Sequence, residues 1–113
     1  MKDYLFLYHA DYNAMPAATA EQIDAMSKRW MDWINSIADK NQLSERGNRL
    51  ASTGKVLKSD YSITNGPYTE IKESIGGYSM IKAASYDIAI EIAKGCPILT
   101  VGGNVEIREI SVM

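Results

Sequence analysis

The sequence predicts an α+β fold, a split βαβ sandwich in which an antiparallel sheet carries both helices on one face. Three observations predict it. An aromatic and aliphatic run at 4–9 has strand character. Two segments with helical spacing of apolar residues each follow a capping signal. Short, glycine-bounded strands fill the interval between the helices and the stretch after the second.

Residues 4–9 (YLFLYH) read as a buried strand, with Tyr4, Phe6 and Tyr8 on one face and Leu5, Leu7 and His9 on the other. Ala10 to Ala18 contains Asn13 and Pro16 and reads as a loop. Thr19-Ala20-Glu21-Gln22 fits a capping box, because the threonine hydroxyl can accept from the Gln22 amide while the Gln22 side chain reaches back. The helix it opens runs to about Lys40. Ile23, Met26, Trp30, Trp33, Ile34 and Ile37 make its apolar face.

Residues 43–58 read as an extended segment broken by turns at Gly47-Asn48 and Thr53-Gly54. Tyr61 to Thr64 is a short strand closed by the Asn65-Gly66-Pro67-Tyr68 turn. A polar strip follows and ends at Gly76-Gly77. Tyr78 to Ala83 is a strand with Tyr78, Met80 and Lys82 on one face. Ser85 caps a second helix with Asp87 in its first turn and Ile88, Ala89, Ile92 and Ala93 as its buried stripe. Gly95 suits the C′ position and Pro97 forbids continuation. Gly102-Gly103 opens a last strand, Asn104 to Ser111, alternating apolar and charged residues.

The length of 113 residues and the lack of any linker predict a single domain over 1–113. A net charge of −2 with scattered Lys and Arg lacks the basic footprint that nucleic-acid binding requires. One cysteine, Cys96, cannot close an internal disulfide, and the apolar run near the start is too short for a leader or a membrane span. Both point to a cytoplasmic protein. A sheet with both helices on one side leaves its other face bare, which predicts a homodimer packed sheet on sheet.

His9 is the only side chain with an ordinary pKa near neutrality, and Asp11, two residues on, is placed to orient it if the chain stays extended. Alternation puts Tyr68, Glu70 and Lys72 on one face of an extended stretch, where they suit a polar ligand, or Glu70 and Lys72 simply pair at the surface. Trp30 and Trp33 pack in the core, unless one ring walls a pocket. Cys96 reads as a small buried hydrophobe, because a helix C-terminus does not favour a thiolate. One histidine and one cysteine cannot make a closed metal site, and neither Gly-Gly pair opens a helix after a parallel strand. No metal and no nucleotide cofactor is therefore expected.

The run Asn65-Gly66-Pro67-Tyr68-Thr69-Glu70-Ile71-Lys72-Glu73, then Gly76-Gly77-Tyr78, AIEIAKGCP at 89–97, and Gly102-Gly103-Asn104-Val105-Glu106-Ile107-Arg108 resembles the YCII-related family, in particular its DGPF branch. The resemblance implies a ferredoxin-like fold pairing into a dimeric α/β barrel. Some such relatives are linked to extracytoplasmic-function sigma factors, and others are proposed to be enzymes using a histidine and an aspartate. Here Asn65 stands where the branch has its aspartate, and the family's helix histidine falls near Trp30, so that dyad does not carry over. The expectation is a homodimeric binder of a small polar or aromatic ligand, or a metal-independent acid–base enzyme using His9. The alternative is a non-catalytic accessory module for a sigma factor.

Overall fold

The computed structural model describes residues 1–11, 18–66 and 74–112. Its strands are β1 (Lys2–Ala10), β2 (Leu43–Glu45), β3 (Gly54–Leu57), β4 (Ile63–Gly66), β5 (Ser74–Ala83) and β6 (Asn104–Glu109). Its helices are α1 (Ala20–Asp39) and α2 (Tyr86–Ala93), and a short 3-10 helix spans Pro97–Val101. Four strands form an antiparallel sheet in the order β2-β5-β1-β6, and β3 and β4 form a separate two-stranded hairpin. With the hairpin set aside, the order is that of a ferredoxin-like α+β fold.

Both helices cover one face. The strict alternation of β1 puts Tyr4, Phe6, Tyr8 and Ala10 inside. Tyr4 meets Tyr86 of α2 edge-on at 4.9 Å between ring centroids, and Phe6 and Tyr8 face Trp33 and Trp30 of α1. Trp33, Ile34, Ile37, Ile81, Ala89, Ala93, Cys96 and Ile98 complete this core. The layer between sheet and helices is thus filled largely by these side chains.

The helix starts are local sequence chemistry. Thr19 Oγ1 accepts from the Gln22 amide at 3.1 Å while Gln22 Oε1 accepts from the Thr19 amide at 2.9 Å, completing the predicted box. Ser85 Oγ accepts from the Ile88 amide at 3.3 Å. Two apolar assignments are corrected: Ile23, near the start of α1, and Ile88, on the outer side of α2, are both exposed.

The segment around Asn65 also differs from expectation. Asn65 and Gly66 are ladder residues of β4, opposite Lys55 and Gly54. The chain reverses earlier, where Asp60 Oδ1 accepts from the Ser62 amide and hydroxyl and Tyr61 adopts φ 68°. An Asx-type turn thus joins β3 to β4. Residues 67–73 lie outside the described residues.

Gly76-Gly77 does not end a strip but lies inside β5. A Cβ on Gly77 would stand 2.9 Å from the Asn48 carbonyl oxygen, which explains the glycine in a strand interior.

Candidate active site

The open face of the sheet carries the residues of opposite parity. On β1 these are Leu5, Leu7 and His9, and their neighbours are Tyr78, Met80 and Lys82 on β5 and Asn104, Glu106 and Arg108 on β6. His9 sits opposite Asn104, and Leu7 opposite Glu106, so His9 and Glu106 are diagonal cross-strand neighbours. Long side chains span such a diagonal. His9 Nε2 lies 2.8 Å from Glu106 Oε1, and Arg108 Nη1 donates to Glu106 Oε2 at 3.3 Å.

Two backbone features hold this arrangement. The β1–β5 ladder shifts register between Tyr8 and His9: Tyr8 faces Gly77, His9 faces Ile75, and Gly76 is the extra residue. A bulge of this kind bends the strand and re-aims a side chain. On the other side, Gly102 leaves the 3-10 helix at φ 80°, and Gly103 brings β6 against β1. A Cβ on Gly103 would stand 2.6 Å from the His9 carbonyl oxygen and 2.5 Å from Ile98 Cγ1. The Gly-Gly pair sets how closely Glu106 approaches His9.

The His9 side chain is 15 % exposed and Glu106 40 %. The His9 hydrogen bond chiefly holds the Glu106 carboxyl below the usual carboxylate range; burial opposes it, and the Arg108 pairing adds a smaller lowering. His9, Asn104, Val105 and Glu106 line a depression of about 210 Å³. A partly buried imidazole against a carboxylate, beside space for a small molecule, is the arrangement general acid–base chemistry uses.

The YCII-related domain family matches residues 3–113, nearly the whole chain. This chain belongs to the YCII-related family. No protein of curated function matches it.

In this YCII-related protein the sequence singles out His9, and the structure sets Glu106, Asn104 and Arg108 on the neighbouring strand. Asn104, Glu106 and Arg108 alternate along β6, which was visible; the register that sets them beside His9 was not. Asp11 follows the end of β1 and is half-buried, while the carboxylate at Nε2 is that of Glu106. Tyr68, Glu70 and Lys72 lie outside the described residues. Trp30 is on the covered face, edge-on to Tyr8 at 4.8 Å and to Trp33 at 5.8 Å, so the sheet separates it from His9.

The other indole, Trp33, borders a depression of about 190 Å³ between the C-terminal ends of the helices, with Ser36, Lys40, Gln42, Glu91 and Gly95. Its Nε1 donates to the Ile92 carbonyl at 3.1 Å. Cys96 is buried and burial pushes its thiol up to about 12, so it stays protonated and packs as an apolar group.

Proposed function

We propose that this YCII-related protein is a cytoplasmic homodimer that binds a small polar or aromatic molecule and works on it by metal-independent acid–base chemistry at His9. The observation that supports this most is the 2.8 Å contact between His9 Nε2 and Glu106 Oε1 at the rim of the depression. An ionised carboxylate only accepts, so His9 donates its Nε2–H to Glu106. Glu106 orients the ring through that bond and offers a negative charge to balance a proton on it, and Arg108 helps keep Glu106 ionised. The Asn104 amide offers a donor and an acceptor to orient the ligand. Tyr68, Glu70 and Lys72 are proposed as further ligand contacts from their alternation in the sequence.

The homodimer reading draws on Leu5, Leu7 and Met80, an apolar stripe along the sheet face that neither helix covers. The cytoplasmic reading draws on the lone buried thiol. Among the described residues no helix is long and apolar enough to cross a membrane.

The test is a screen of small carboxylic and aromatic compounds read by NMR at the His9 ring. Binders should shift the His9 resonances and lose at least tenfold in affinity with His9→Gln. For any compound that turns over, Glu106→Gln should lower kcat by about 10²-fold or more. Binders that ignore both substitutions and leave the His9 ring unmoved would sink the site.

A further inference from the structure

We propose that the β3–β4 hairpin is a dimerisation arm whose Leu57–Ile63 face and Tyr61 tip pack on a second copy of this chain. The proposal rests on the homodimer reading above and adds the element that makes the contact.

Leu57 and Ile63 are directly opposite in the ladder, at 63 % and 66 % exposure, and share their face with Lys55 and Asn65. Tyr61 at the tip is 83 % exposed and held at φ 68°, a conformation that costs a bulky side chain. A large aromatic displayed in this way suits an interface anchor. Among the described residues β3 and β4 pack chiefly on each other, and their opposite face, Val56 and Thr64, is half-buried. An isolated two-stranded hairpin is marginally stable at best in water. The molecule is correspondingly extended: its radius of gyration is 15.5 Å, against about 13 Å for a compact chain of this length.

Area argues for a second copy as the occupant. The four sheet strands have nine, ten, six and three residues. At ~3.3 Å per residue and ~4.8 Å between strands their open face has a flat footprint of roughly 450 Å². A stable interface buries about 800 Å² on each partner, so stacked sheets alone fall well short. The face of a four-residue hairpin adds roughly 130 Å², and in a symmetric dimer each copy gives one arm and receives one. The total then reaches roughly 700 Å² per copy, close to the standard size. The arm also rejoins the body where β5 begins, at Ser74 and Ile75, and Ile75 faces His9.

Hydrogen exchange on the unmodified protein, with sedimentation in parallel, tests this. The Lys58 and Tyr61 amides, which donate to Ser62 and Lys58 carbonyls within the hairpin, report on it. They should be protected at concentrations where the protein is dimeric and lose at least tenfold in protection on dilution to monomer, while β1 and β5 keep theirs. Leu57→Ser with Ile63→Ser should weaken the dimer at least tenfold with an unchanged far-UV spectrum. A dimer of wild-type affinity in that variant, or one whose hairpin amides exchange freely, overturns the arm and leaves the sheet-face dimer standing. Hairpin protection that survives full dissociation overturns the arm too, because the chain then holds it alone. A chain that is monomeric at all concentrations overturns both readings.

Discussion

On the covered face of the sheet, Tyr4, Phe6 and Tyr8 stand against the rings of Tyr86, Trp33 and Trp30. On the open face, the residues between them along the same strand, Leu5, Leu7 and His9, meet Met80, Tyr78 and the Glu106–Arg108 pair. One strand thus feeds two environments at a period of two residues. The covered face is saturated with partners from its own chain and contributes stability. The open face keeps its polar groups in pairs, with an apolar stripe beside them, and is where chemistry and association have room.

The largest test of that contrast removes one side chain from each face. Phe6 is fully buried, and Phe6→Ala should cost about 3–5 kcal/mol through lost burial and the cavity left behind. Leu7→Ala should cost about 1 kcal/mol or less in the monomer, where Leu7 is half-buried. Urea unfolding at low and high protein concentration checks both. A Leu7 cost that grows with concentration would show the open face covered in the assembly, and a Phe6 cost near that of Leu7 would break the division between faces.

A smaller effect probes the seam where the faces are set. Gly103→Ala places a methyl group against the His9 carbonyl and the Ile98 side chain. Overpacking of this kind costs about 1–3 kcal/mol. If β6 gives way instead, the His9–Glu106 contact lengthens, so the His9 ring shifts should move together with the melting point. An unmoved ring in a destabilised variant would mean Gly103 serves packing alone.

The covered face was legible because its signals are local: the Thr19 and Ser85 caps, and the 3.6-residue spacing that brings Trp33, Ile34 and Ile37 inside. His9 was legible as chemistry because no other side chain shares its ordinary pKa. Its partner was not, since Glu106 is 97 positions away and the pairing depends on a β1–β6 register that no local pattern specifies. Asp11 was legible as a neighbour because it is near in sequence, and residues two apart are pairs that a single strand reveals. Gly95 follows the Lys94 cap of α2, at the expected C′ position, and a Cβ there would stand 2.9 Å from the Trp33 ring. Asn65 and Gly66 are ladder residues of β4, and the rest of the turn expected there, Pro67 and Tyr68, lies outside the described residues.

The smallest effect is the pH dependence carried by the open face. The folded chain holds the Glu106 carboxyl below its ordinary value, chiefly through His9. Its contribution is therefore present above the unfolded carboxylate pKa of about 4.3 and is lost as pH falls through the lower folded value. Glu106 is 40 % exposed, so solvent screening limits the contribution to under about 1 kcal/mol. Glu106→Gln removes the titrating group while keeping its shape. The wild type should gain stability over that variant as pH rises from 3 to 5. A gap that is constant from pH 3 to 7 would mean Glu106 acts through hydrogen bonding alone, without its charge, and its role in stabilising a protonated His9 would fall with it.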